Sequence, residues 1–467
     1  MPETINTKVL IIGGGMGGYV CAIRLGQLGI EHTLVEADRL GGTCLIRGCI
    51  PSKALIHAAT KFETVRDAAS DAGTLGVRAQ SPSIDLGETV RWKDGVVAKL
   101  NGGVTSLLKR AKTRVLNGWA TFSDAKTATV RTADGAKTTI TAEHVVLAAG
   151  SVSVELPFLP FGGNVISSTE ALSLDRVPDR LVVVGAGYIG LELGIAFLKM
   201  GAQVTVVEAQ DRILPLYDKA LTEPVRKWAE KHGMVLHLGA KAKGLGDDGA
   251  LQVQTREGEI LSLPADKIMV TVGRKPLTQG WGLETTGVAM AGPFVKVDDR
   301  LRTSMKGVYA VGDLIGEPML AHKSAAQGEL VAEIISGKDR RFDPVTIAAV
   351  CFTEPEIVSA GLLPADVEGR DDVMQAVFPL QSIGRALAIE AADDGGFVRV
   401  IAHKADHRIL GIQAVGRHVS ELSNEFATAL EMGAVLEDIA GVIHVHPTLG
   451  EAFHEASLRA LGHAIHV

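Results

Sequence analysis

Two textures of hydrophobic and polar positions divide this chain. Near the N-terminus an unbroken apolar run, "KVLIIGGG", gives way to glycines, then to apolar residues at helical spacing, then to a second apolar run ending "TLVE". Buried parallel strands read as continuous apolar runs, so residues 8–36 are predicted as strand, tight turn, helix and strand. The same pattern returns at residues 180–208, "RLVVVGAGYIGLELGIAFLKMGAQVTVVE", and aligns with the first without a gap at an offset of 172. Later apolar strands ending in glycine, "HVVLAAGS" and "KIMVTVGR", are predicted to complete the two sheets. From Phe342 onward the texture changes. "GGFVRVIAHK" and "RILGIQAVG" alternate as strands do, and "VSELSNEFATALEMG" has helical spacing, so a third, α+β unit is expected there.

The repeat carries chemistry. Gly13, Gly15 and Gly18 fall on Gly185, Gly187 and Gly190, and Glu36 falls on Glu208, each glutamate 23 residues after the first glycine. In such a unit the first glycine permits the turn, the second lets backbone approach a pyrophosphate, and the third lets helix pack on strand. The glutamate then accepts hydrogen bonds from ribose hydroxyls. One such motif is weak evidence, but two in full context predict two bound dinucleotides. Residues 181–200 form the longest apolar run, yet they include Glu192, Lys199 and four glycines, which argues against a membrane span.

Composition narrows the possibilities. The chain has 467 residues, 46% hydrophobic and 22% charged, with a formal net charge of −7, so it has no basic footprint for nucleic acid or an anionic membrane. No basic stretch followed by an apolar one opens the sequence, so no targeting segment is expected and the cytoplasm is the expected location. Four cysteines do not make a secreted disulfide scaffold. Cys44 and Cys49, in "GGTCLIRGCIPSKAL", lack the neighbouring ligands a zinc site wants, so no metal is expected and the pair reads as redox-active. A dithiol and two dinucleotides suggest an electron path. Nicotinamide does not exchange directly with a disulfide, so a flavin is the natural intermediate. Exchange also needs a proton acceptor. In "HVHPTLGEAFHEA", His446 followed five residues later by Glu451 is the candidate; surface histidines or zinc ligands at His444, His446 and His454 are the alternatives.

These motifs, together with "GVYAVGDLIGEPMLAHKSAAQGE", mean that the sequence resembles the flavoprotein disulfide reductases over essentially its whole length. It is most similar to the branch that oxidises dihydrolipoamide within 2-oxoacid dehydrogenase complexes. The resemblance implies two Rossmann-like α/β domains, for FAD and NAD, and a C-terminal α+β dimerisation domain. The boundaries it suggests are 1–150 and 275–345 for FAD, 151–274 for NAD and 346–467 for the interface. Cys44 would exchange with substrate and Cys49 would be the thiolate beside the flavin. Lys53, paired with Glu192, would lie near the flavin ring. Gly42, Thr43, Gly118, Ala149, Gly150, Ser151, Gly312 and Asp313 match further FAD contacts, and Met319, Leu320, Ala321 and His322 match backbone contacts to the ring. Tyr188, Ile189, Ala242 and Gly273 match NAD contacts. His446, its ring fixed by Glu451, would reach the dithiol of a partner subunit in a homodimer. The implied partners are a lipoylated acyltransferase of such a complex or free dihydrolipoamide. Reduction of another small disulfide by NAD(P)H is the alternative.

Some positions depart from the family pattern. Ile46 replaces the usual asparagine and reads as a packing change, and the following Arg47 is a candidate to alter thiolate chemistry or favour an anionic substrate. Leu277 in "GRKPL" also replaces an asparagine, which reads as loop variation. Glu208 would repel a 2′-phosphate, which favours NAD over NADP. Arg212, the nearby cation, reads as a solvated charge at a helix start. Cys21 and Cys351 read as buried packing residues.

Overall fold

The computed structural model describes residues 3–70 and 75–466. The first apolar run becomes the strand Glu3–Ile12, which leads through the glycine turn into the helix Met16–Gln27 and on to the strand His32–Glu36. These strands pair in parallel, with Arg114–Asn117 on one side and Lys137–Leu147 on the other. The last of these has two further partners in the same sheet. Its C-terminal residues Val145 to Leu147 pair in parallel with Val308–Ala310, while its N-terminal half pairs antiparallel with Thr127–Arg131, which in turn pairs with Trp119–Phe122. Residues from both sides of the second glycine unit therefore build one sheet.

The second unit forms its own five-stranded parallel sheet in the order Val235–Leu238, Gln203–Glu208, Arg180–Val184, Lys267–Val270, Val165–Ile166. A three-stranded antiparallel sheet, Lys241–Leu245, Leu251–Gln254 and Ile260–Leu263, is attached to it. The C-terminal unit is a five-stranded antiparallel sheet, with strands Phe397–His403 and Ile409–Gly416 where alternation predicts them. Its core includes Phe378, Val400 and Ile412 from the sheet and Phe426 and Phe453 from the helices Ser423–Glu431 and Glu451–Ala460. Glu192 and Lys199, the charges inside the long apolar run, are both buried on the helix Tyr188–Lys199. Among the described residues no helix is long and apolar enough to cross a membrane.

Candidate active site

The two glycine turns are superimposable in their bonding. Gly13 N–H donates to the Val35 carbonyl and Gly185 N–H to that of Val207, both at 2.8 Å. Gly13 and Gly185 have φ near +103° and +102°, which a side chain would strain. A Cβ on Gly18 or Gly190 would lie 1.8 or 2.3 Å from the carbonyl oxygen of Gly13 or Gly185, so the third glycine is sterically required. Each glutamate holds its own turn: Glu36 Oε2 accepts from Gly14 N–H at 2.6 Å, and Glu208 Oε2 from Ala186 N–H at 2.7 Å. The other oxygens accept from Asp38 and Gln210 N–H, both at 2.8 Å. Carboxylate oxygens have two lone pairs each, so both groups keep capacity for ribose hydroxyls.

The dithiol segment is mounted on the first turn. Gly41 N–H donates to the Gly14 carbonyl at 2.8 Å, and Gly42 lies so close to Gly15 that a Cβ would come within 2.5 Å of its Cα. Cys44 sits in the short helix Gly42–Arg47, and Cys49 opens the long helix Cys49–Ala68. A thiolate at a helix N-terminus is favoured by the unpaired amides there. Cys49 is pushed down to about 7, first by a hydrogen bond from the Cys44 thiol and then by the Lys53 charge, against burial and the Glu192 carboxylate. Cys44 is driven far above the ordinary thiol range by the same hydrogen bond, by burial and by the Cys49 charge. Both the hydrogen bond and the Lys53 charge favour negative charge on Cys49 over Cys44. Lys53 Nζ donates to Glu192 Oε2 at 2.7 Å and stands 4.3 Å over the Phe352 ring, while Phe352 N–H donates to Glu192 Oε1 at 2.9 Å.

Around the dithiol lies a cavity of about 180 Å³, walled by Gly15, Thr43, both cysteines, Lys53, Gly150, Ser151, Gly312, Asp313, Met319 and Ala321. The N-terminal residues of four helices face it: Met16, Cys49, Tyr188 and Ala321. Converging helix N-termini suit a pyrophosphate, and the bare glycine backbone leaves room for one, so the residues present fit a flavin dinucleotide. Ser151 Oγ donates to Asp313 at 2.5 Å and accepts from Arg274 Nε at 2.8 Å; Arg274 was not foreseen in the sequence, although it directly follows Gly273. Gln327 was also missed. Its buried side chain accepts from Gly312 N–H at 2.8 Å, and a polar residue on the buried face of a helix was the available signal. Gly118 N–H donates to the Glu36 carbonyl at 2.8 Å, and Ala149 packs beside the first sheet. Leu320 lies in the wall of the larger cleft, whereas His322 lines neither cavity and its ring bonds the Ala348 carbonyl at 3.0 Å.

That cleft, of about 1780 Å³, is lined by Gly185, Gly187, Tyr188, Ile189, Glu208, Ala242 and Gly273. Tyr188 and Ile189 also line the dithiol cavity, so the two spaces adjoin. A Cβ on Gly187 would meet nothing within 4 Å, which leaves its backbone open to a ligand. Arg212 is not the solvated helix-start charge that the sequence predicts: it is half-buried and donates to the carbonyls of Pro215 and Tyr217 at 2.6 and 2.9 Å, tying down a loop before the helix Lys219–Lys231. Arg47 is ion-paired with Asp38, and Ile46 packs against the core beside the first sheet.

His446 lies apart. Its Nδ1 bonds Glu451 Oε1 at 2.8 Å, and Glu451 Oε2 accepts from Thr448 N–H at 2.8 Å. Burial pushes the Glu451 carboxyl up, but these two hydrogen bonds and the nearby histidine charges hold it below the usual range. The ring is 77% exposed and lines neither cavity, and Val442, Ile443 and Val445 beside it are exposed too. His444 instead bonds Glu425, and His454 bonds the Ala440 carbonyl. Among the described residues no three His, Cys, Asp or Glu side chains group to hold a metal ion. Cys21 and Cys351 are buried, and burial pushes both thiols up to about 12.

Residues 7–328 match the family described as pyridine nucleotide-disulphide oxidoreductase, and residues 347–457 match its dimerisation domain. The chain is 56% identical to dihydrolipoyl dehydrogenase of Pseudomonas aeruginosa, with 100% of both chains covered. It is 46% identical to the dihydrolipoyl dehydrogenase of Haloferax volcanii, over 99% of this chain and 98% of that one. Among solved structures, LpdA from Mycobacterium tuberculosis superposes with a TM-score of 0.88 at 27% identity, over 97% of this chain and 99% of the other.

Proposed function

Since the chain belongs to the pyridine nucleotide-disulphide oxidoreductase family, we propose that it is a dihydrolipoyl dehydrogenase, oxidising dihydrolipoyl groups with NAD+ as acceptor. The observation that carries the reading is the placement of the thiol pair: Cys49 at a helix N-terminus with Cys44 and the Glu192-paired Lys53 in the wall of the same cavity. FAD would be held by Glu36 at its ribose, by Gly13, Gly15 and Gly18 at the pyrophosphate, by Gly312 and Asp313 along its linker, and by Lys53 and residues 319–322 at its ring. Bound there, FAD would supply a two-electron relay between a dithiol and NAD+. Glu208 and the second glycine turn would hold NAD+ in the larger cleft.

In the oxidised enzyme a substrate thiol loses its proton to His446 and attacks Cys44 Sγ of the Cys44–Cys49 disulfide. That S–S bond breaks and Cys49 leaves as the thiolate, stabilised by Lys53. The second substrate thiol then attacks the mixed disulfide; the substrate disulfide forms and Cys44 leaves, taking up the second thiol's proton. One proton remains on His446, whose ring Glu451 orients through Nδ1. The exposed ring and its exposed apolar neighbours suit a homodimer in which this histidine serves the partner's dithiol, and the dimerisation-domain match supports it. We assign residues 1–150 and 275–345 to FAD, 151–274 to NAD and 346–467 to that interface. The natural donor we infer is the lipoylated acyltransferase of a 2-oxoacid dehydrogenase complex, in the cytoplasm, where a reducing environment keeps the pair exchangeable.

Anaerobic mixing of the flavin-loaded protein with dihydrolipoamide and NAD+ tests this. NADH should form rapidly, and scarcely any NADPH should form when NADP+ replaces NAD+. If NADH reduced the flavin while dihydrolipoamide barely turned over, the substrate assignment would fall.

A further inference from the structure

The ion pair at the dithiol, a half-buried Lys53 on a buried Glu192, has a counterpart further along the same helices. At the first contact the cation Lys53 comes from the dithiol helix Cys49–Ala68, the anion Glu192 from the helix Tyr188–Lys199, and the third member, Phe352 N–H, from the C-terminal unit. At the second, the same three elements meet with the charges exchanged. Lys199, only 3% exposed, ends the second helix and points Nζ at Glu63 Oε2 of the dithiol helix (2.9 Å) and at Glu354 Oε2 of the C-terminal unit (2.7 Å). The Thr60 hydroxyl, also on the dithiol helix, accepts at 3.3 Å, so all three ammonium protons have partners. Arg66 donates to the Lys199 carbonyl at 3.1 Å, Trp228 packs 5.3 Å from the ammonium, and Arg417 lies 3.6 Å from Glu354 and 3.9 Å from Asp394.

Ten residues of helix separate Lys53 from Glu63, roughly 15 Å at the usual rise. A clamp that far along a helix governs how its first turn can rotate or slide. Because the charges alternate, sliding one helix on the other would bring an ion out of its pair into a buried setting, which is costly. Neither contact alone fixes both position and rotation, but the two together do. We propose that Lys199 is a positioning residue for the redox centre, holding the dithiol helix in register so that Lys53 stays beside Cys49.

This inference rests on the reading of Cys49 as the thiolate that Lys53 stabilises. Besides Lys53, the titratable groups acting on Cys49 include Cys44, Glu192 and Tyr188, and Arg47, Arg274 and Asp313 line the same cavity. The test uses the reduced, flavin-loaded protein and follows the pH midpoint for alkylation of Cys49 by iodoacetamide, located by peptide mapping. Lys199→Met should raise the midpoint by about half a pH unit or more, part of the shift that one displaced neighbouring charge produces, and Lys199→Arg should restore it. An unchanged midpoint in folded Lys199→Met overturns the inference, whatever its melting temperature. If Lys199→Met fails to fold, Glu63→Gln replaces it: a smaller rise supports the inference and no rise overturns it. Lys53→Met separates the two claims. If it also leaves the midpoint unmoved, the reading of Cys49 fails; if it alone moves the midpoint, only the role of Lys199 fails.

Discussion

Removing the Lys53 charge should weaken the thiolate, and by an amount the surrounding groups set. Cys49 lies near 7 against an ordinary 9.0, and the Cys44 hydrogen bond is the largest cause, so Lys53 accounts for the lesser part of that interval. Lys53→Met, however, also strands the Glu192 carboxylate, buried and facing the thiol, without its ammonium partner 2.7 Å away. Both changes disfavour the thiolate, and together they should raise the midpoint by about one pH unit. At pH 6.5 such a rise lowers the thiolate fraction roughly eight-fold, and the rate of alkylation falls with it. The double variant Lys53→Met/Glu192→Gln removes the stranded carboxylate as well, so its midpoint should return part of the way. Stopped alkylation across pH 5.5–9 (about 0.5-unit steps) reads all three proteins. A double variant shifted as far as the single one, or further, would refute the claim that Glu192 opposes the thiolate.

Glu451→Gln should lower dihydrolipoamide turnover by about 100-fold, the scale of a positioned proton acceptor, while NADH reduction of ferricyanide, which needs no such proton transfer, stays near the parent rate. Gly190→Ala drives a methyl group into the Gly185 carbonyl at 2.3 Å; overpacking of about 1–3 kcal/mol should raise the KM for NAD+ several-fold and leave the flavin bound, read by absorbance and steady-state kinetics. Glu333 is held down to about 2, from 4.5, first by its hydrogen bond from Arg24 and then by Lys338 and the Arg340 charge. Its stabilisation is full above pH 4.5 and lost as pH falls through 2, so Glu333→Gln should melt lower at pH 6 and converge on the parent through that window.

What the sequence disclosed was whatever depends on local order. Each glycine turn needs three glycines and an acid within one strand–helix–strand unit, and a gapless internal repeat exposes such a unit twice. The dithiol was legible for the same reason, since Cys44, Cys49 and Lys53 occupy one short segment. Contacts between distant segments were not. Arg274 meets Ser151 across 123 positions, and Lys199 meets Glu354 across 155; nothing in their neighbourhoods marks them as partners. Arg212 misled because a cation after a strand looks the same whether it is solvated or bonded to loop carbonyls. His446 and Glu451 could be paired from spacing, but the solvent around that ring could not be read from it.

The strand Lys137–Leu147 imposes an order of assembly during synthesis. Its partner Val308–Ala310 emerges from the ribosome 161 positions after Leu147, with the whole second nucleotide unit in between. The intervening unit, whose strands lie closer together in the chain, can close first, while the sheet begun at the N-terminus waits with one edge open. Asp313 and Gln327 come later still, so a nascent chain stopped before residue 310 has both glycine turns and both active cysteines yet cannot complete the wall against which a flavin would rest.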